Sequence, residues 1–233
     1  RATVEKLGER LAQVKVLQDA GRYKAGLELA RELEPQVSAT AYLPLQAELR
    51  YYMGWLLQQQ GQAKDGIGQL EQAFDLAESS RSDRARLQVL AKLIHAFANN
   101  GRPEEAERWG KVALAILKRL GGEPTLAFDL MGNLGTSALL QGRYQEAWDY
   151  FERARALAQA TLKPEDPKHA KVSFGLGLTA MRMGDFSKAI PLLRDSLQQT
   201  EAVKGKQHPE SGTRHTNLAP PYRESGDLQR ALR

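Results

Sequence analysis

Residues 130–154 read LMGNLGTSALLQGRYQEAWDYFERA, and this stretch decides the fold. Apolar and small residues recur at helical spacing on both sides of Gly142. A glycine between two such runs takes the left-handed conformation just past a helix end. The stretch therefore reads as helix, tight turn, helix. The same punctuation recurs along the chain at Gly21-Arg22-Tyr23, Gly61-Gln62-Ala63, Gly101-Arg102-Pro103, Gly184-Asp185-Phe186 and Gly226-Asp227-Leu228. With Gly142 included, the glycines stand 40, 40, 41, 42 and 42 residues apart. Six helix-turn-helix units follow, the last incomplete.

Composition agrees. Leu and Ala number 65 against 21 for Val, Ile and Thr together, which favours helices and leaves little β-branched material for strands. Small residues recur five places after the turn glycine (Gly26, Gly66, Ala106, Ala147, Ala189, Ala231), where they let two helices approach closely. Leu33, Ala73, Ala113, Ala154 and Ser196 stand twelve places after it, and Gly54, Gly135 and Gly177 seven before. The linkers carry Pro35, Pro44, Ser79-Ser80, Gly121-Gly122-Glu123-Pro124, Lys163-Pro164-Glu165-Asp166-Pro167 and the segment from Gly205 to Glu210.

This pattern resembles the tetratricopeptide repeat, best at Leu134-Gly135, Tyr144, Ala147, Phe151 and Ala154, then at Leu176-Gly177, Phe186 and Ala189; Gln13-Val14 departs from it. The stretch from Gly205 to Ala231, with Asn217-Leu218-Ala219 ahead of Gly226-Asp227, resembles the 42-residue variant of kinesin light chains. Ala47-Glu48, Gly101-Arg102 with Trp109, and Asn133-Leu134-Gly135 are similar to repeat regions appended to bacterial serine/threonine protein kinases. The resemblance implies an all-α fold, a right-handed α-solenoid of tetratricopeptide-type helix pairs. It is expected to run as a single solenoid over residues 1–233, with units at about 3–38, 41–79, 82–120, 124–162, 166–204 and a partial 207–233. The chain opens on Arg1-Ala2-Thr3 and stops at Ala231-Leu232-Arg233 in mid-repeat, which reads as a segment of a longer protein. Pro220-Pro221 should kink or end the first helix of the last unit near Leu218. Leu218, Tyr222 and Leu228 then lack chain to cover them, and self-association through this unit is an expectation.

A catalytic or ligating constellation does not emerge. The chain has 33 basic and 28 acidic side chains, so the net charge is +5, interleaved rather than clustered as a nucleic-acid footprint would be. No cysteine is present, which removes thiolate nucleophiles and Cys-ligated zinc. His95, His169, His208 and His215 lack ligand spacing apart from the loose pair His208 and Glu210, so no metal and no cofactor are expected. Gly175-Leu176-Gly177 imitates a dinucleotide fingerprint without a preceding strand, and Asp185-Phe186-Ser187 imitates a kinase metal motif without its companions. Both read as repeat residues. Glu104-Glu105 and Glu165-Asp166 read as first-turn stabilisers of helices. Runs such as Val112 to Leu117 are too short to cross a bilayer, and a cytoplasmic setting without membrane or nucleic acid is expected.

The remaining candidate is the inner surface lined by the first helices. The register places Tyr51, Trp55, Lys92, His95, Asn99, Asp129, Asn133, Lys171, Phe174 and Arg182 there. For Tyr51 and Trp55 the alternative is packing between units, and for Lys92, Asn133, Lys171 and Arg182 a solvated face. The resemblance implies that Asn133 holds a bound peptide's backbone. With Lys92, Lys171 and Arg182 facing Asp129, a protein or peptide ligand should be neutral to acidic. The expected function is a non-catalytic interaction module that takes a peptide or partner segment in the groove. The alternative is a structural or regulatory spacer contacting its parent's own catalytic domain.

Overall fold

The computed structural model describes residues 2–226, and among them twelve helices occur and no strand. The chain falls into two compact units, Arg1–Gly122 and Glu123–Arg233. The first holds α1 (Ala2–Asp19), α2 (Tyr23–Ser38), α3 (Leu43–Gln59), α4 (Ala63–Ser79), α5 (Asp83–Asn99) and α6 (Pro103–Arg119). The second holds α7 (Pro124–Leu140), α8 (Tyr144–Thr161), α9 (Pro167–Arg182), α10 (Phe186–Lys204), α11 (Pro209–Thr216) and α12 (Ala219–Glu224). In the first unit α1/α2, α3/α4 and α5/α6 pair, and α2 on α3 and α4 on α5 join the pairs. In the second, α7/α8 and α9/α10 pair, α8 packs on α9, and α11 and α12 pack on α10. Each unit is thus a stack of tetratricopeptide-type helix pairs, the all-α solenoid class expected.

The turn glycines close the first helices. Gly142 has φ 74°, its N–H bonds Leu139 O at 3.1 Å, and Arg143 N–H reaches back to Ala138 O at 2.9 Å. That six-to-one bond is a Schellman-type termination, and it needs the left-handed residue between. Gly21, Gly61, Gly101 and Gly184 repeat the positive φ. Proline opens α6, α7, α9 and α11 at the first helical position, where its missing N–H costs nothing.

The small residues do the packing expected of them. Ala106, Ala147 and Ala189, five places past the turn, and Leu33, Ala73, Ala113, Ala154 and Ser196, twelve past it, are all fully buried. A Cβ on Gly54 would stand 2.8 Å from Gly66 O, so α3 and α4 meet backbone to backbone. Gly175 and Gly177, the imitation fingerprint, lie inside α9 against Phe151 and Leu193. Asp185 caps α10, its Oδ1 accepting Lys188 N–H at 3.1 Å, and Glu104-Glu105 begin α6.

Two expectations are corrected and a third holds. Pro35 lies inside α2, not in a linker: the helix runs on to Ser38 because Leu33 and Val37 are anchored in the core. Pro220-Pro221 do interrupt the helix, which stops at Thr216 and restarts at Ala219. However, Leu218 and Tyr222 are not left uncovered. They form a buried cluster with Leu193, flanked by Phe174, Leu178, Ile190 and Leu197, because α12 turns back onto α10. Leu228 and Ala231 lie outside the described residues.

Candidate partner-binding face

All ten candidate residues sit on first helices. Tyr51 and Trp55 are on α3 and Lys92, His95 and Asn99 on α5, in the first unit; Asp129 and Asn133 are on α7 and Lys171, Phe174 and Arg182 on α9, in the second.

In the first unit the fold assembles an aromatic group. Glu48, Tyr51, Tyr52 and Trp55 follow one another at i, i+3, i+4 and i+7, which puts them on one stripe of α3. Tyr23, at the start of α2, meets Trp55 edge-on with ring centroids 5.4 Å apart, and Tyr51 and Tyr52 make the same kind of contact at 5.4 Å. From α5, Lys92 Nζ lies 5.6 Å from the Trp55 ring centroid. Asn99 bonds His95 O at 2.8 Å and so finishes its own helix. The Tyr52 hydroxyl donates to the Glu48 carboxylate. Burial pushes the Glu48 pKa up, against that hydrogen bond, and burial with the Glu48 and Asp19 charges pushes Tyr52 up as well.

In the second unit, Lys171 and Arg182 are exposed, while Asp129 is paired to Lys168 at 3.7 Å. Lys168 also lies 5.0 Å from the Phe128 ring centroid. Asn133 is only 3% exposed, an amide set into the face rather than standing on it. Phe174 is half-buried beneath Arg214, whose guanidinium carbon is 4.6 Å from the ring centroid. The structure therefore joins Trp55 with Lys92, and seats Phe174 under the end of the unit.

The residues that sequence reading missed are Glu48, Tyr52, Lys168 and Arg214. The i, i+3, i+4, i+7 spacing to Trp55 would have found the first two. For Arg214 the only local signal is the i,i+4 spacing to Glu210, since its other partners Thr200 and Phe174 are remote in sequence. Among the described residues no three or more His, Cys, Asp or Glu side chains stand together as metal ligands, and no helix is long and apolar enough to cross a membrane. A cleft of about 470 Å³ lies between α8, α9 and α10, and three of its polar side chains pair with one another: Ser173 and Gln199 both donate to Asp195, at 2.9 and 2.8 Å.

Stacked helix pairs with glycine turns, small-residue contacts and a polar, aromatic first-helix face define a helical-repeat interaction module. The chain belongs to the tetratricopeptide repeat family, whose sequence profile matches residues 83–160, 126–198 and 170–233. No curated protein sequence matches it. Among solved structures it is similar to BtubC (BKLC) from P. vanneervenii, with a TM-score of 0.65, 21% identity, and 87% of this chain and 83% of that one covered. It is also similar to a Podosopora anserina kinesin-light-chain protein of nearly identical TPR-like repeats (TM-score 0.58, 24% identity, 78% and 88% covered). A Rap protein complexed with Competence and Sporulation Factor shares the fold at a TM-score of 0.75 and 14% identity, over 96% of this chain and 71% of that one.

Proposed function

We propose that the chain is a non-catalytic module that captures a peptide or partner-protein segment on the face of its first helices. The observation that carries the reading is the composition of that face in the second unit. Asn133 sets a nearly buried amide there, and Lys171 and Arg182 stand exposed on the neighbouring first helix while Asp129 is engaged by Lys168. A buried amide that can bond backbone groups fixes register, and exposed cations attract acidic groups. The Rap protein, solved with a bound factor on a similar fold, supports the same reading. In this account, within the second unit, Asn133 holds ligand backbone and Lys171 and Arg182 orient its acidic or neutral side chains; within the first unit, taken by itself, Tyr51 and Trp55 exclude water from a bound segment. His95 and Asn99 flank the ligand's path in the first unit. By its resemblance to kinase-appended repeats, the chain serves as an accessory region of a cytoplasmic bacterial signalling protein.

The test is capture of partners from the native lysate by wild type, by an Asn133→Ala, Lys171→Glu double variant and by a Lys171→Glu, Arg182→Glu variant that touches only exposed side chains. Loss of the same partners by both variants, at unchanged melting temperature, supports the reading. Equal recovery by all three forms removes the first-helix face as the binding surface and leaves the spacer role, with contacts to the parent's own domains.

A further inference from the structure

We propose that Gly132 lets an extended partner segment lower its backbone onto α7, and that the segment carries a small residue, glycine or alanine, where it crosses. This rests on the reading that the second unit's first-helix face holds a partner segment, and it specifies what that segment must be beside Asn133.

The chain has four asparagines, and three of them close on their own helices. Asn99 Nδ2 donates to His95 O at 2.8 Å, Asn100 Nδ2 to Ala96 O at 2.7 Å and Asn217 Nδ2 to Thr213 O at 2.8 Å. Asn133 does not. It is only 3% exposed, and its amide makes no hydrogen bond to any described residue. An amide withdrawn from water and left unbonded is a cost that a ligand's backbone N–H and C=O remove, since the carboxamide offers an acceptor and a donor together. One turn away on the same helix the polar groups are engaged: Thr136 Oγ1 donates to Gly132 O at 3.0 Å, and Asp129 is held by Lys168 at 3.7 Å.

A backbone reaches so recessed an amide only where no side chain stands in its way. Ten places before the turn glycine, other first helices carry Tyr51, Ala91 and Phe174, and α7 carries Gly132. Gly132 is buried, yet a Cβ built on it would meet nothing within 4 Å outside its chain neighbours and its own helix backbone. Packing explains Gly135 and Gly175, where the Phe151 ring excludes a side chain, but it does not explain Gly132. Gly8, Gly68 and Gly212 also have room, but they are not buried and none adjoins an unbonded amide. A glycine inside a helix costs about 1 kcal/mol relative to alanine, and close approach of a ligand backbone is one use that offsets it. Successive side chains of an extended segment point to opposite faces. The segment therefore alternates, with a small residue toward α7 and acidic residues where the exposed Lys171 and Arg182 attract them.

The test uses the full chain isotopically labelled at asparagine nitrogen, with Asn133→Ala to identify the Asn133 side-chain signal by magnetic resonance. It is titrated with end-blocked hexapeptides of alternating Glu-Gly and of alternating Glu-Val. The Glu-Gly peptide should shift the Asn133 signal and bind at least about tenfold more tightly than Glu-Val, which cannot bring its backbone down to make the pair of hydrogen bonds. Gly132→Ala should raise the melting temperature by about 2–4 °C, as alanine does in a helix where it has room, while weakening Glu-Gly about threefold. Gly132→Leu should abolish the shift. A glycine required for packing would instead lower the melting temperature on substitution by alanine, and that result overturns the proposal. Equal affinity for the two peptides, equal binding by Gly132→Leu and wild type, or an Asn133 signal that neither peptide moves also overturns it. If lysate capture still depends on Lys171 and Arg182, the broader reading survives that failure. If capture is insensitive too, both fall.

Discussion

The ring of Phe151 on α8 fills the space that a side chain at Gly175 on α9 would need: a Cβ there would stand 2.4 Å from Phe151 Cε1. Gly135 on α7 faces the same ring, its Cβ position 3.0 Å away. One aromatic side chain therefore lies against glycines of two first helices, and the approach of α8 to both depends on their having no side chain. Gly175→Ala should destabilise the second unit by about 1–3 kcal/mol, the usual cost of forcing atoms into a packed core. Chemical denaturation measures this. Phe151→Leu in the Gly175→Ala background should recover part of the loss, because the smaller side chain vacates the contested volume. A double-mutant cycle with no coupling between the two positions would contradict the geometry.

The left-handed conformation recurs where the residue is not glycine. Arg81 has φ 54° at the connection between α4 and α5, and Ala41 has φ 51° between α2 and α3. An L-residue there is strained by roughly 1–2 kcal/mol, partly offset on substitution by the greater chain entropy of glycine. Arg81→Gly should therefore raise stability by a few tenths to about 1 kcal/mol. Gly142→Val, at φ 74°, should lower it by more than about 1 kcal/mol, since a β-branched side chain tolerates positive φ poorly. Thermal melting of the two variants should move in opposite directions.

The repeat was legible because each glycine turn and each small residue answers to a local constraint, as at Gly142 and Ala147. What stayed hidden depends on partners distant in sequence. Pro35 marked a linker by its identity, yet Leu33 and Val37 hold the helix through it. Pro220-Pro221 marked an interruption correctly, but not that α12 would fold Tyr222 onto Leu193. Phe174 read as an open aromatic because nothing near it announces Arg214, forty residues later. Within the candidate face, Trp55 was visible as an aromatic at the right register. Its cation, Lys92, was visible only as a charge, since the contact depends on how α5 packs beside α3.

Asp185 gives the fold an acid-sensitive cap. Hydrogen bonds from Lys188 and Ser187 and from the Lys188 backbone N–H hold its carboxyl well below the ordinary value, at about 2. A depressed acid stabilises in its ionised form, so the contribution is complete above the ordinary carboxylate pKa and disappears as pH falls through about 2. Asp185→Asn keeps a cap oxygen for the Lys188 N–H and removes the charge. Wild type should therefore exceed Asp185→Asn in stability at neutral pH, and the gap should close between about pH 4 and pH 2. Paired melts across that window check it. A gap independent of pH would mean that the carboxylate's charge contributes nothing to α10.

Arg214 is the fastening of the second unit's end. Its side chain is 7% exposed; Nε donates to Thr200 Oγ1 at 2.6 Å, one terminal nitrogen reaches Glu210 at 3.3 Å, and the guanidinium covers Phe174. The chain of bonds continues inward, Thr200 Oγ1 donating to Ser196 O at 2.7 Å and Ser196 Oγ to Ala170 O at 2.6 Å, so α11 is tied through α10 to α9. Glu210 is also held by Lys204 at 2.5 Å, and although burial alone would raise its pKa, these cations bring it below the ordinary value. Arg214→Ala would strip the Phe174 face and leave Thr200 without its donor. A loss of about 2–3 kcal/mol follows, toward the lower end of the cost of breaking a buried pair because Glu210 is partly exposed and keeps Lys204. The loss should be local: amide exchange should accelerate across α11 and α12 while α7 and α8 stay protected. Arg214→Lys should recover little, because an ammonium cannot both stack on Phe174 and fork between Thr200 and Glu210. Exchange that speeds up equally through the whole unit would show that Arg214 supports the stack at large and not its last two helices.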